Sequence, residues 1–280
     1  MIPAQFDYVA PSSLNEALQA LANGGEDAKV LAGGHSLVPL MKLRLAQPAL
    51  LIDLGRISEL KGVSVDGQRL RIGAMTTHAE VASSPQVLQH APALAQAAHE
   101  IGDRQVRARG TIGGSLAHND PAADLPAVML ALDAEFVLRT VGGERTVSAQ
   151  DFFTGMLETA LGPHEILSEI SVAVAPRSSY AKYPNPASHY AIAGVSVALQ
   201  GNGTISSARI GVTGAAPLAF RAVSAEAALA GKTLNADSID QAASAAYDGR
   251  ELLSDIHASA EYRANLIEVL TRRALAKIGP

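Results

Sequence analysis

Two short glycine-rich stretches limit what this chain can fold into. One is Ala32-Gly-Gly-His-Ser36; the other is Thr111-Ile-Gly-Gly-Ser-Leu-Ala-His-Asn-Asp-Pro-Ala-Ala-Asp124. Each places a glycine pair after apolar residues and before a hydroxyl, so the backbone can turn sharply and aim several bare N–H groups into one concavity. Such a nest suits an anion, above all a diphosphate. Gly24-Gly25 and Gly142-Gly143 read as plain turns, whereas two matched copies with different polar neighbours favour a ligand held between them.

A chain of 280 residues has room for roughly two domains with separate cores. Hydrophobic residues make up 48% but aromatics only 4%, with no Trp, so those cores must be built from Ala, Leu, Val and Ile. The formal charge of -5 comes without long charge runs, which leaves no basic face for nucleic acid or anionic lipid. No apolar run approaches the ~20 residues of a membrane span, and no basic, apolar leader opens the chain; the expected location is cytoplasmic. Cysteine is absent. That removes disulfides, a thiol nucleophile, Cys-ligated zinc and any Cys-ligated iron–sulfur cluster on this chain.

Periodicity sketches the elements. Ser13-Leu-Asn-Glu16 reads as a capping box opening a helix that Gly24-Gly25 stops. Lys29 to Ala32 and Leu50 to Leu54 read as buried strands, and Val63 to Val65 with Leu70 to Ile72 as a hairpin across Asp66-Gly67. Thr76 to Ser83 and Ala93 to Ile101 read as helices; the second glycine stretch follows as a loop, and Asp124 caps a helix through Leu132. Ala134 to Leu138 and Ile166 to Val174 add strands. Composition shifts at Pro176-Arg-Ser-Ser179, the expected main boundary. Beyond it, Tyr180 to Tyr183, Ala193 to Leu199 and Ile205 to Val212 form an antiparallel sheet turning at Gly201-Asn-Gly203. Helices over Arg221 to Ala230, Ser238 to Tyr247 and Glu261 to Ile278 close the chain. Strands followed by a block of helices indicate an α+β fold.

Several chemistries lack their signatures. G-x-G-x-x-G after a strand is missing, as is Walker A, and neither Ser36 nor Ser115 sits in G-x-S-x-G. His118, Asp120 and Asp124 could ligate a metal, although Asn-Asp-Pro is an ordinary turn and Asp124 an ordinary cap. Arg104, Arg107 and Arg109 form either a solvated face or a docking surface. The constellation supports a large phosphate-bearing cofactor between two backbone nests, with Asp124 free to hydrogen-bond a ribose or adenine; flavin adenine dinucleotide (FAD) fits.

These residues also carry a family resemblance. Ala32 to Ser36, Pro39-Leu-Met-Lys-Leu-Arg44, Asp53-Leu54, Ile72-Gly-Ala-Met-Thr-Thr77, Gly110-Thr-Ile-Gly-Gly114 and Asp120-Pro-x-x-Asp-x-Pro126 resemble the FAD-binding medium subunit of molybdenum-containing carbon monoxide dehydrogenases and xanthine-dehydrogenase-family hydroxylases. The opening Met1-Ile-Pro-x-x-Phe-Asp-Tyr8, Glu261-Tyr-Arg263 and Arg272-Arg273 extend the likeness nearly end to end.

The resemblance implies a vanillyl-alcohol-oxidase (PCMH)-type FAD module over 1–176, with α/β subdomains at about 1–55 and 56–176. A C-terminal domain over 177–280 would hold a three-stranded antiparallel sheet and helices. Carried over by position, Ala32, Gly33, Gly34, His35, Ser36 and Leu37 meet the diphosphate, while Thr111, Gly114, Ser115, Ala117 and His118 form the second wall. Asp124 holds the adenosine end, Ile101 and Gly102 approach from a helix end, Leu167 packs on the cofactor, Lys182 lies near the isoalloxazine edge, and Tyr190 lies beside the ring. Ser115 stands where the family usually has Asn, so one amide donor is lost or replaced by water. The segment Lys182 to His189 differs from the basic segment of true carbon monoxide dehydrogenases, so that substrate is not carried over. The implied partners are a small [2Fe–2S] subunit and a large molybdenum–pterin subunit, assembled as a dimer of heterotrimers, with this chain passing electrons to an external acceptor. A stand-alone FAD oxidase and a scaffold without redox turnover are the alternatives.

Overall fold

The computed structural model describes residues 2–279; Met1, which opens the N-terminal part of the resemblance, and Pro280 lie outside them. The chain first builds a three-stranded parallel sheet in the order Asp7–Val9, Leu50–Asp53, Ala28–Leu31. Parallel neighbours need crossovers, and the helices Leu14–Asn23 and Leu37–Lys42 supply them. The first buries Leu14, Ala17, Leu18 and Leu21, one stripe at helical spacing. Its cap is Ser13, whose hydroxyl accepts from the Glu16 N–H, but the expected box is incomplete: the Glu16 carboxylate accepts from Ser12 N–H instead. The strand expected from Lys29 begins at Ala28 and ends at Leu31, which leaves Ala32 outside the ladder.

A five-stranded antiparallel sheet follows, in the order Val63–Asp66, Arg69–Gly73, Ile166–Ala173, Glu135–Thr140, Gly143–Ser148. Its apolar face, with Leu70, Ile72, Phe136, Leu138 and Ile170, packs with Leu94 and Ala98 of the Pro92–Glu100 helix and Val128 and Met129 of the Leu125–Ala131 helix in one core. Three of the five phenylalanines cluster here, with Phe136 and Phe152 ring centroids 4.3 Å apart and Phe153 edge-on to both.

The second glycine stretch is not a loop. Residues Ile112–His118 form a helix, capped by Thr111 Oγ1, which accepts from Gly114 N–H at 3.1 Å. Helix propensity disfavours the glycine pair, yet tertiary contact requires glycine. A Cβ on Gly113 would lie 2.7 Å from the Ala74 carbonyl oxygen, in the segment leaving the Arg69–Gly73 strand. Asn119 ends this helix at φ +47, and its side-chain amide donates to the carbonyls of Gly155 and Glu158, pinning the small Phe153–Thr159 hairpin.

The C-terminal sheet contains the three expected strands, Ser178–Pro184, Ala191–Gln200 and Ser207–Thr213, plus a fourth of two residues, Phe220–Arg221. Residues Ala191 to Leu199 are buried without alternation, because both faces are covered: the Ala260–Ile278 helix lies on one, and the Leu125–Ala131 helix of the preceding sheet unit lies on the other. On that side the approach is close enough for a Cβ on Gly211 to overlap the Ala127 carbonyl. Thr213 Oγ1 donates to the Ala123 carbonyl at 2.6 Å, and Tyr180 N–H donates to Gln96 Oε1 at 2.9 Å.

Candidate cofactor cleft

A cleft of about 950 Å³ opens where the parallel sheet, the antiparallel sheet and the C-terminal sheet meet. Its first wall leaves the Ala28–Leu31 strand as Ala32, Gly33, Gly34, His35 and Ser36, then enters the next helix at Leu37; all six line the cleft. Gly34 sits at φ +77, a conformation that favours glycine. Gly33 is glycine for another reason. A Cβ there would overlap the Arg109 carbonyl oxygen and stand 2.7 Å from Gly110 Cα, so the first cradle rests directly on the approach to the second.

The second wall is the head of the Ile112–His118 helix. Thr111, Gly114, Ser115, Ala117 and His118 line the cleft there. Ile112 N–H donates to the Thr76 carbonyl and Gly113 N–H to the Ala74 carbonyl, so these first-turn donors are already held by the sheet. Gly114 faces the opposite cradle, with Ala32 Cβ 3.3 Å from where its own Cβ would be.

Ile101 and Gly102 form a third side, with Gly102 at φ +47. Arg107 holds this corner: Nη1 donates to the Ile101 carbonyl at 2.9 Å and to the Gly102 carbonyl at 3.0 Å. Of the three arginines read as one face, Arg107 is therefore committed to the backbone, whereas Arg104 and Arg109 are exposed. Leu167 and Tyr190 complete the lining, the latter 45% exposed.

Asp124 lines the cleft but does not cap its helix. Its oxygens point away to the C-terminal sheet, where Oδ1 accepts from Tyr180 Oη at 2.6 Å and Oδ2 from Lys182 Nζ at 2.9 Å. Burial pushes the Asp124 carboxyl up, against the pull of Lys182 and Tyr180. The Lys182 side chain is 2% exposed and also donates to the Glu100 carbonyl. Lys182 is therefore absent from the cleft lining; it borders a separate cavity of about 490 Å³ behind the Asp124 wall. A lysine in an apparently polar strand reads as solvated, and only the distant Asp124 reverses that.

Sequence reasoning left His78, Tyr180 and Leu157 out of the site. His78 and Leu157 line the cleft, and Tyr180 braces its wall. His78 is 4% exposed, its Nδ1 is buried without a hydrogen-bond partner, and burial, with His35 and Arg107 nearby, lowers its pKa to about 4. Its position in Thr-Thr-His-Ala-Glu resembles any helix start, so no local signal marked it. His118, Asp120 and Asp124 all border the cleft, yet among the described residues no group of three or more His, Cys, Asp or Glu converges as for a metal.

Two glycine-built cradles in contact, with Ile101 and Gly102 on a third side, form a cleft with room for a diphosphate-bearing cofactor. Residues 4–174 match the family model described as the FAD binding domain in molybdopterin dehydrogenase, and residues 178–278 match the CO dehydrogenase flavoprotein C-terminal domain. The chain belongs to the FAD-binding molybdopterin dehydrogenase family, and its cofactor is FAD. It is 43% identical to the carbon monoxide dehydrogenase medium chain of Hydrogenophaga pseudoflava, over 98% of this chain and 97% of that one. It is 41% identical to the 6-hydroxypseudooxynicotine dehydrogenase complex subunit alpha of Paenarthrobacter nicotinovorans, over 99% and 95%. Among solved structures, the carbon monoxide dehydrogenase of Hydrogenophaga pseudoflava lacking the Mo-pyranopterin moiety superposes with a TM-score of 0.92 at 45% identity, covering 99% of this chain and 98% of that one. No helix among the described residues is long and apolar enough to cross a membrane.

Proposed function

We propose that this chain is the FAD-carrying electron-transfer subunit of a molybdenum hydroxylase. In this reading it receives electrons from [2Fe–2S] clusters on a small partner subunit, substrate is oxidised on a large molybdenum–pterin subunit, and an external acceptor drains the flavin. The observation that carries the reading is end-to-end similarity to a carbon monoxide dehydrogenase medium chain and to a subunit of a dehydrogenase complex, together with a cleft built around paired glycine cradles. With no cysteine, the chain has no thiolates to hold an iron–sulfur cluster, so the clusters belong to another polypeptide.

FAD, when bound, supplies a centre that exchanges electrons singly or in pairs. The chain's own residues fix its place. Backbone N–H groups from Ala32 to Leu37 face the diphosphate, and Thr111, Gly114, Ser115, Ala117 and His118 line the opposite wall, where the N–H groups of residues 112–115 are already hydrogen-bonded within the protein. Gly114 leaves the room that a Cβ would take. Ile101, Gly102, Leu167 and Tyr190 bound the ring, and Asp124 closes the adenosine side. Lys182 acts from behind as the counter-ion that fixes Asp124, not as a direct neighbour. We assign the FAD module to 1–176, with subdomains at about 1–55 and 56–176, and the accessory domain to 177–280. The complex is proposed to be a cytoplasmic dimer of heterotrimers. The two relatives' names specify different substrates, carbon monoxide and a nicotine derivative, on subunits that are each similar to this chain from end to end. In this reading substrate is selected on the large subunit.

The test is to purify the chain with its co-expressed partners and measure flavin, iron and molybdenum per complex. Substrate-dependent bleaching of flavin absorbance in the complex, absent from the isolated chain, is expected. A yellow chain that oxidises a substrate without partners would overturn the subunit reading, and a colourless complex would overturn the flavin reading.

A further inference from the structure

Among the described residues, His78 is the one buried base beside the contact between the two cradles. Its backbone N–H donates to the Gly110 carbonyl at 2.9 Å. Its ring lies against Gly110, where a Cβ would come 2.8 Å from Cδ2 and 3.0 Å from Nε2. Gly33 of the first cradle presses on the same Gly110. The imidazole thus sits under the seam between the cradles, and it forms part of the cleft lining.

The two ring nitrogens have different surroundings. Nδ1 is buried with no partner, out of reach of a ligand. Leaving a buried N–H unpaired costs more than leaving a lone pair unpaired, so the proton of the neutral ring belongs on Nε2. That leaves an N–H donor where the two cradles meet, beside a second wall whose own first-turn N–H groups are already hydrogen-bonded. A neutral donor also fits beside Arg107 and His35 better than a further cation would. We propose that His78 is a cofactor-binding residue whose Nε2–H donates to a diphosphate oxygen of FAD, joining the two backbone cradles with a side-chain donor. The inference rests on the flavin reading above and adds a contact to it.

The test uses the full chain with His78→Gln, His78→Asn and His78→Phe. A glutamine amide can place an N–H near the Nε2 position, an asparagine amide places one near Nδ1, and phenylalanine fills the volume without a donor. Affinities for FAD and for ADP, which shares the diphosphate but lacks the flavin, are measured by titration calorimetry. The melting temperatures of the ligand-free variants report any folding defect. We expect Asn and Phe to weaken both ligands about tenfold or more, as for a hydrogen bond to a charged group, with Gln staying within about threefold of wild type. In ¹⁵N-histidine NMR of the wild type, ADP should shift the His78 Nε2 resonance of an Nε2–H tautomer. Equal affinities in all four proteins would overturn the proposal. A loss for FAD with ADP unaffected would overturn the assignment to the diphosphate. If Phe fails to fold, the Gln and Asn pair decides. A wild-type chain that takes up neither ligand, in isolation or with its partners, would overturn the flavin reading itself and the inference with it.

Discussion

The Tyr180 hydroxyl donates a 2.6 Å hydrogen bond to Asp124 Oδ1, from a strand of the C-terminal sheet to the head of a helix in the FAD module. The approach is tight: a Cβ on Gly194 would overlap that hydroxyl. Burial, then the adjoining Asp124, push the Tyr180 phenol well above its ordinary range, so it stays a donor. Lys182 fills the other carboxylate oxygen, and Lys277 Nζ donates to the Tyr180 carbonyl at 2.7 Å. The cleft wall at Asp124 is therefore held in place by the neighbouring domain.

Asp124→Asn should cost about 3 kcal/mol of stability, because it removes the partner of a lysine that has almost no access to water. The loss is larger than that of a helix cap, about 1 kcal/mol, and no cap is present to lose. Urea denaturation of Asp124→Asn, Lys182→Met and the double variant checks it. Recovery of most of the loss in the double variant is expected, since it leaves no buried charge.

Gly33→Ala should lower both stability and flavin content. A Cβ here would stand against the Arg109 and Gly110 backbone, which cannot swing away. A loss of about 2 kcal/mol or more is expected from such overpacking. Gly25→Ala is the control; it has open space around it and only the penalty of φ +71. Calorimetric melting of the two variants, with flavin absorbance, separates the effects.

Stability should fall with acid in a window set by His78. Its folded pKa of about 4 lies below the unfolded value of 6.5, so the unfolded chain binds the proton first. The contribution is fully present above about pH 6.5, declines as pH falls, and is lost by about pH 4, amounting to about 3 kcal/mol. Urea midpoints of wild type and His78→Gln between pH 7.5 and 4.5 test this. The variant should show a shallower decline across that range; parallel curves would assign the acid sensitivity to other groups.

Arg107→Ala should reduce flavin content, whereas Arg104→Ala should not. The first frees two carbonyls, Ile101 and Gly102, at a cost of about 1–3 kcal/mol; the second removes an exposed guanidinium. Flavin-to-protein absorbance ratios after dialysis measure the difference. Any role of this surface in docking a partner is then best read from Arg104 and Arg109, whose replacement leaves the cleft corner intact.

The sequence by itself determined the local grammar. Ser13 announced its helix start, Asp66-Gly67 and Gly201-Asn-Gly203 their hairpins, and the apolar periodicity its strands to within two residues at most ends, because these signals depend on neighbours in the chain. It also marked both cradles: every expected site residue except Lys182 borders the cleft. Tertiary structure decided the rest. Gly113 and Gly114 looked like a loop because glycine is poor in helices, yet they are helical, with Gly113 packed against Ala74 and Gly114 facing Ala32. The same distance effect turned Gly33 into a packing residue, moved Asp124 from cap to ion pair, hid Lys182 behind the wall and enlisted His78. In each case the deciding partner lies tens of residues away, and no pattern along the chain encodes which distant atoms will occupy the space beside a side chain.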